Sequence, residues 1–367
     1  MVDEMELRMR RLILPFAAVV ALGAAPAAAA GLKVAVIAPT EGPFALLGKQ
    51  IADGAGFAAK DHGSQIVVIP ETCEASDGEK LTKAILDSGA EAAIGFLCTE
   101  SLEASIAALN EANIPALTVS VRSDILMEDA AKNNWPLFRL VPGAAKEAAK
   151  ISDVILDRWK NKPLALIDDG TIHGRELVEA VRASLEKIGL SAIFTDTYRP
   201  SQEQQVALVR RLAKSGATHV FVGGDRSDMA VMARDAASEN IGLTFLGGET
   251  LDAADQPVPL QNGVLAVALP DYARQPQAAD VTKALSDAGI VAEGYVLPAF
   301  AARTLLEAAK DLAGTDDIPL RDAVARGKFE TVIGPVSFDT HHELTENPYQ
   351  LLEWRDGRFL PAPPRVD

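Results

Sequence analysis

The chain has 367 residues, 48% hydrophobic and 23% charged, which excludes a disordered chain and suggests about two to three domains. A formal net charge of -16 argues against nucleic acid as the main partner, and 5% aromatics leaves little for stacking platforms. Two cysteines exclude both a disulfide-dense miniprotein and a four-cysteine zinc site.

The first thirty residues read as an export leader (1–30). Arg8, Arg10 and Arg11 precede an apolar run from Leu12 to Ala24, followed by Pro26 and alanines up to Ala30. That is a positive start, an apolar middle and a small-residue cleavage site near Ala30. The run falls short of the about 20 apolar residues a membrane span needs. Asp3, Glu4 and Glu6 are foreign to such a start, and an opening at Met9 would remove them.

After the leader, strand and helix alternate. Residues 32–38 (LKVAVIA), 65–70, 92–97 and 115–119 are short apolar runs. Between them, 44–60, 78–88 and 101–112 carry helical spacing, with Leu47, Ile51, Ala55 and Ala58 on one face. Near-continuous apolar strands between helices predict a parallel sheet covered on both faces. Cys73 follows one strand and Cys98 ends another. In an exported protein the two are expected to pair, closing a loop worth about 3 kcal/mol; a redox pair or two buried thiols are the rival readings.

The pattern then restarts, with strands at 164–168, 191–196, 218–223 and 243–247 and helices at 174–188, 202–215 and 227–240. The fold class is therefore α/β, as two doubly wound parallel-sheet lobes joined by a three-crossover hinge. Crossings are expected near 139–144, 272–276 and 331–335. They place 31–141 plus 274–331 in an N-terminal lobe and 142–273 plus 332–367 in a C-terminal lobe. The helix at 295–312 returns to the first lobe, and 349–360 reads as a hairpin turning at Asp356-Gly357. Ligands of open α/β sheets bind outside the carboxyl ends of strands, so facing lobes put those loops around one cleft.

Catalytic signatures are missing. There is no G-x-G-x-x-G after the first strand, no P-loop, no G-x-S-x-G and no H-E-x-x-H. His341-His342-Glu343 after Asp339 reads as a solvated turn rather than a metal cluster, and Gly223-Gly224 and Gly247-Gly248 lack the basic residue of a phosphate cradle. A hydrolytic alternative would set His173 with Asp168 or Asp169 as base near Ser120, but no spacing supports it. No cofactor, no metal and no catalytic residue is expected.

Thr72-Cys73-Glu74 with Gly95-Phe96-Leu97-Cys98-Thr99 resembles the leucine/isoleucine/valine-binding proteins of bacterial ABC importers, which are type I periplasmic solute-binding proteins. The opening from Lys33 to Ala55, Phe138-Arg139-Leu140-Val141-Pro142 and Gly334-Pro335-Val336-Ser337-Phe338-Asp339 resemble theirs too, in order along the chain. The resemblance implies a two-lobed receptor that closes on its ligand and docks on a permease.

By that resemblance, Thr99 at a helix start would hold an anion and Ser120 would offer its carbonyl to an ammonium. Glu249 matches the family's ammonium-pairing acid, and Leu47 and Phe44 cap the first lobe's side of the cleft. His173 and Asp225 stand where tyrosines are common, and Arg122 where a small hydroxyl residue is usual. Arg122 would touch the ligand or bridge the lobes to Asp225 or Glu249. Such a pocket suits a polar ligand, an amino acid or a related compound, rather than an aliphatic side chain. The implied setting is a periplasmic monomer serving an ABC permease and ATPase, reaching the membrane only through them. A sensor for a signalling partner is the alternative output.

Overall fold

The structure, a computed structural model, describes residues 31–59, 64–254 and 257–364. The leader expected over 1–30 lies outside them. In chain order the first half gives β1 (Lys33–Ala38), α1 (Ala45–Ala59), β2 (Gln65–Pro70), α2 (Gly78–Asp87) and β3 (Ala92–Gly95). It continues with α3 (Thr99–Glu111), β4 (Ala116–Thr118), α4 (Asp124–Asn133) and β5 (Leu137–Arg139). These five strands form one parallel sheet in the order β2-β1-β3-β4-β5.

The second half gives α5 (Ala144–Trp159), β6 (Leu164–Asp168), α6 (Ile172–Lys187), β7 (Phe194–Thr197) and α7 (Val206–Ser215). Then follow β8 (His219–Gly223), α8 (Arg226–Ser238), β9 (Thr244–Gly247) and β10 (Leu265–Ala268). The remainder is α9 (Ala279–Asp287), α10 (Val296–Asp316), α11 (Leu320–Arg326), β11 (Phe329–Thr331), β12 (Gly334–Val336), β13 (Gln350–Arg355) and β14 (Arg358–Pro361). The second sheet runs β14-β13-β10-β9-β8-β6-β7, parallel except for the antiparallel β13 and β14. The expected tail hairpin is this pair, turning at Asp356-Gly357.

Burial explains the strand patterns. In β1, Val34 through Ala38 are fully buried between helices on both faces. β2 is equally apolar in sequence but forms the sheet edge, where Val68 is 39% exposed. An edge strand has a neighbour on one side only, so its outer side chains meet solvent.

The helix expected to return does so. Ala299, Ala302, Leu305, Leu306 and Ala309 of α10 are buried in the first lobe's core with Ile51 and Ala55 of α1. Gly54 of α1 sits against the Val296 carbonyl, where a Cβ would overlap backbone, so glycine is required for that approach.

The third crossing differs from its expected place near 331–335. Those residues belong to the β11–β12 hairpin, and Val332, Val336, Phe338 and Leu344 pack in the first core. The Phe338 ring lies 5.0 Å from Phe138. Tyr349 and Leu351 instead pack in the second lobe, so the chain crosses between Leu344 and Tyr349. The apolar face of the hairpin and the segment after it seats on β5, which keeps the chain in the first lobe longer than its composition suggests.

Candidate functional site

The carboxyl ends of the two sheets supply the loops expected to form a cleft. In the first lobe these follow β3 (into α3) and β4 (into α4, where Ser123 caps the helix by accepting the Leu126 N–H). In the second lobe they follow β6 (Thr171 capping α6 through the Gly174 N–H), β8 and β9.

Arg122 from the loop after β4 meets Glu249 from the loop after β9. Nη1 of Arg122 lies 2.7 Å from Oε1 of Glu249, joining the lobes by an ion pair. The same Nη1 donates to the Tyr349 hydroxyl at 3.0 Å, and that hydroxyl donates to Oε2 of Glu249. Tyr349 comes from the third crossing and is fully buried. Burial opposes the Arg122 charge, but the Glu249 carboxylate and Tyr349 outweigh it and raise its pKa. Burial, then the Glu249 charge, pushes the Tyr349 hydroxyl up. Tyr272, on the second crossing, is pushed up to about 12 by burial, with Arg122 opposing and Glu249 adding. Of the two partners expected for an interlobe bridge, Arg122 takes Glu249.

Glu249 is itself held from below. Its backbone N–H donates to Oε1 of Glu147, a buried acid in the first turn of α5, at 2.8 Å. Burial raises the Glu147 pKa; the Glu249 N–H opposes this, the Glu249 charge adds to it, and His173 and Arg122 oppose it. His173 is exposed in the first turn of α6 and belongs to this corner through Glu147.

Asp225 occupies a second corner. It is exposed at the N-terminus of α8 without a side-chain cap bond. Its charge adds to burial and to Asp228 and Asp169 in pushing up the Tyr198 hydroxyl.

On the first lobe, Ser120 is half-buried, its hydroxyl 3.1 Å from that of Tyr295 and donating to the Leu97 carbonyl at 3.3 Å. Thr99 is the first helical residue of α3 rather than its cap, which is Cys98. The N–H groups of Leu97 and Cys98 donate to the buried Glu71 carboxylate at 2.9 and 3.1 Å. Leu47 is half-buried in the first turn of α1, and Phe44 is 44% exposed beside it.

Cys73 and Cys98 form a disulfide with Cα atoms 5.3 Å apart. Their sulfurs lie close to the Glu71 carboxylate, but bonded to each other they are not thiolate ligands. The His341–Glu343 turn is structural. His342 stacks on Phe138 with Nδ1 3.1 Å from the Leu137 carbonyl, and Glu343 pairs with the buried Arg139.

Sequence reasoning missed Tyr349, Tyr272, Tyr295 and Glu147. The chain has four tyrosines, and these three each sit one or two residues after a Pro or Gly at a crossing or helix start. That placement marks the crossings but not what each hydroxyl reaches. A hollow of about 780 Å³, lined by Leu140, Tyr272, Phe329, Ser337 and Tyr349 among others, lies among the crossings and shares two tyrosines with the ion-pair cluster.

A family profile described as periplasmic binding protein matches residues 31–358. The chain is 26% identical over 354 residues to "Leu/Ile/Val-binding protein homolog 3" of Brucella melitensis, covering 92% of this chain and 95% of that protein. An ABC transporter substrate-binding protein of Desulfitobacterium hafniense in complex with Leu superposes with TM-score 0.67 at 19% identity, covering 90% of this chain and 99% of that one. An R. palustris ABC transporter solute-binding protein in complex with benzoate gives TM-score 0.63 at 19% identity, covering 90% and 95%. These likenesses establish the two-lobed type I fold. With the profile spanning nearly all of the two lobes, the chain belongs to the periplasmic binding protein family.

Proposed function

We propose that this protein is an exported receptor that captures a small polar solute, an amino acid or a related compound, between its lobes and delivers it to an ABC importer. The observation that carries the reading is the Arg122–Glu249 ion pair, made between loops at the strand ends of opposite lobes. Such a contact exists only when the lobes are together, so it favours the closed form as a ligand touching both lobes would. Thr99, Ser120 and Leu47 supply the first lobe's side, and His173, Asp225 and Glu249 the second's.

Binding rather than catalysis fits this arrangement. The Ser120 hydroxyl is engaged by Tyr295 and Leu97. No helix among them is long and apolar enough to cross a membrane. Release near Ala30, action as a monomer and docking on a permease and ATPase complete the reading.

The test is small-angle scattering with a thermal-shift panel of amino acids, small amides and aromatic acids. Ligand at about 100 times its Kd adds about 2.7 kcal/mol of stability. A hit that compacts the protein, and a Glu249→Ala variant that no longer compacts, support the reading. Silence across the panel, or normal compaction of Glu249→Ala by a hit, would falsify it.

A further inference from the structure

The ion pair constrains which charge the ligand brings. Each oxygen of Glu249 already has one partner, Oε1 in Arg122 and Oε2 in Tyr349. An ammonium approaching Glu249 would meet the Arg122 cation at hydrogen-bond range from the same carboxylate. Arg122, by contrast, is only half used. Nη1 makes both of its contacts, while Nε and Nη2 have no hydrogen-bond partner among the described residues and the side chain remains 33% exposed. Those two nitrogens form the guanidinium edge that fits a carboxylate with two parallel hydrogen bonds. Ser120, on the same loop, has its hydroxyl 3.1 Å from that of Tyr295.

We propose, resting on the receptor reading above, that the ligand is an organic acid without a free α-ammonium, its carboxylate held by the Nε–Nη2 edge of Arg122. Glu249 and Tyr349 then serve to aim the guanidinium rather than to bind the ligand's cation.

The experiment is calorimetric titration with matched pairs: 4-methyl-2-oxopentanoate against leucine, phenylpyruvate against phenylalanine, and benzoate against benzamide. The expected result is an acid that binds about tenfold or more tighter than its amino acid or amide partner. Arg122→Gln is expected to bring the acid-to-amide ratio close to one, and Arg122→Lys to keep part of it. A purely structural role for Arg122 would weaken acid and amide together and leave the ratio standing, which overturns the proposal. Leucine or phenylalanine binding tighter than its oxo acid also overturns it while leaving the receptor reading intact. Silence from every pair overturns that reading, and this one with it.

Discussion

Glu147 turns its buried carboxylate onto the backbone N–H of Glu249 at 2.8 Å, so one acid fixes the loop that carries another. The approach depends on Gly248, where a Cβ would overlap Oε1 of Glu147 and crowd Leu177. Gly248→Ala is therefore expected to lower stability by about 1–3 kcal/mol through overpacking. Urea unfolding measures it, and an unchanged midpoint would show that Glu147 can move aside at no cost.

The same acid gives stability a pH dependence. Burial raises the Glu147 pKa above its usual 4.5, so the folded state holds the proton more tightly than the unfolded chain. Its contribution is fully present below the unfolded pKa and is lost as pH rises through the folded one. Glu147→Gln keeps an acceptor for the Glu249 N–H but cannot ionise. Between about pH 4 and about pH 8 the variant should gain stability relative to the parent as pH rises. A constant difference across that range would contradict this origin.

The Cys73–Cys98 bond closes a sequence separation of 25 residues beside the start of α3. Replacing both cysteines with serine should cost about 3 kcal/mol, mainly by loosening the unfolded chain. A melting temperature equal to the parent's under oxidising conditions would show that the unfolded ensemble does not feel the loop.

Tyr349→Phe removes the hydroxyl shared by Arg122 and Glu249 without emptying the core position. About 1–2 kcal/mol of stability should go with it, the hydrogen bonds being to charged groups. The unliganded radius of gyration should rise, because the ion pair loses its third member. Unchanged dimensions would mean that the pair holds the lobes alone.

Most of the fold was legible because buried parallel strands announce themselves. Residues 65–70 and 164–168 are strands over the bounds read from sequence. Less visible were α4, α9 and α11, which bury few apolar residues; α5, by contrast, carries a full stripe of Ala148, Ile151, Val154, Ile155 and Trp159. The site was partly legible. Arg122 and Glu249 were singled out through the family resemblance, and the structure pairs them. Tyr349 did not, because nothing local says that a tyrosine after Pro348 will reach across to two residues more than a hundred positions away in sequence or close to it. Glu147 was hidden by resembling an ordinary first-turn acid of a helix. Edge placement of β2 was hidden too, since sheet order is decided by long-range pairing that composition does not encode.

Tyr349 leads directly into β13, and Trp354 of that strand is buried with the Arg226 guanidinium 4.4 Å from its ring centroid. Arg226 follows Asp225 at the start of α8. One indole is thus wired to the crossing that grips the ion pair and to the second lobe's own rim. Trp354 thereby ties the strand that leaves the third crossing to the helix start beside Asp225.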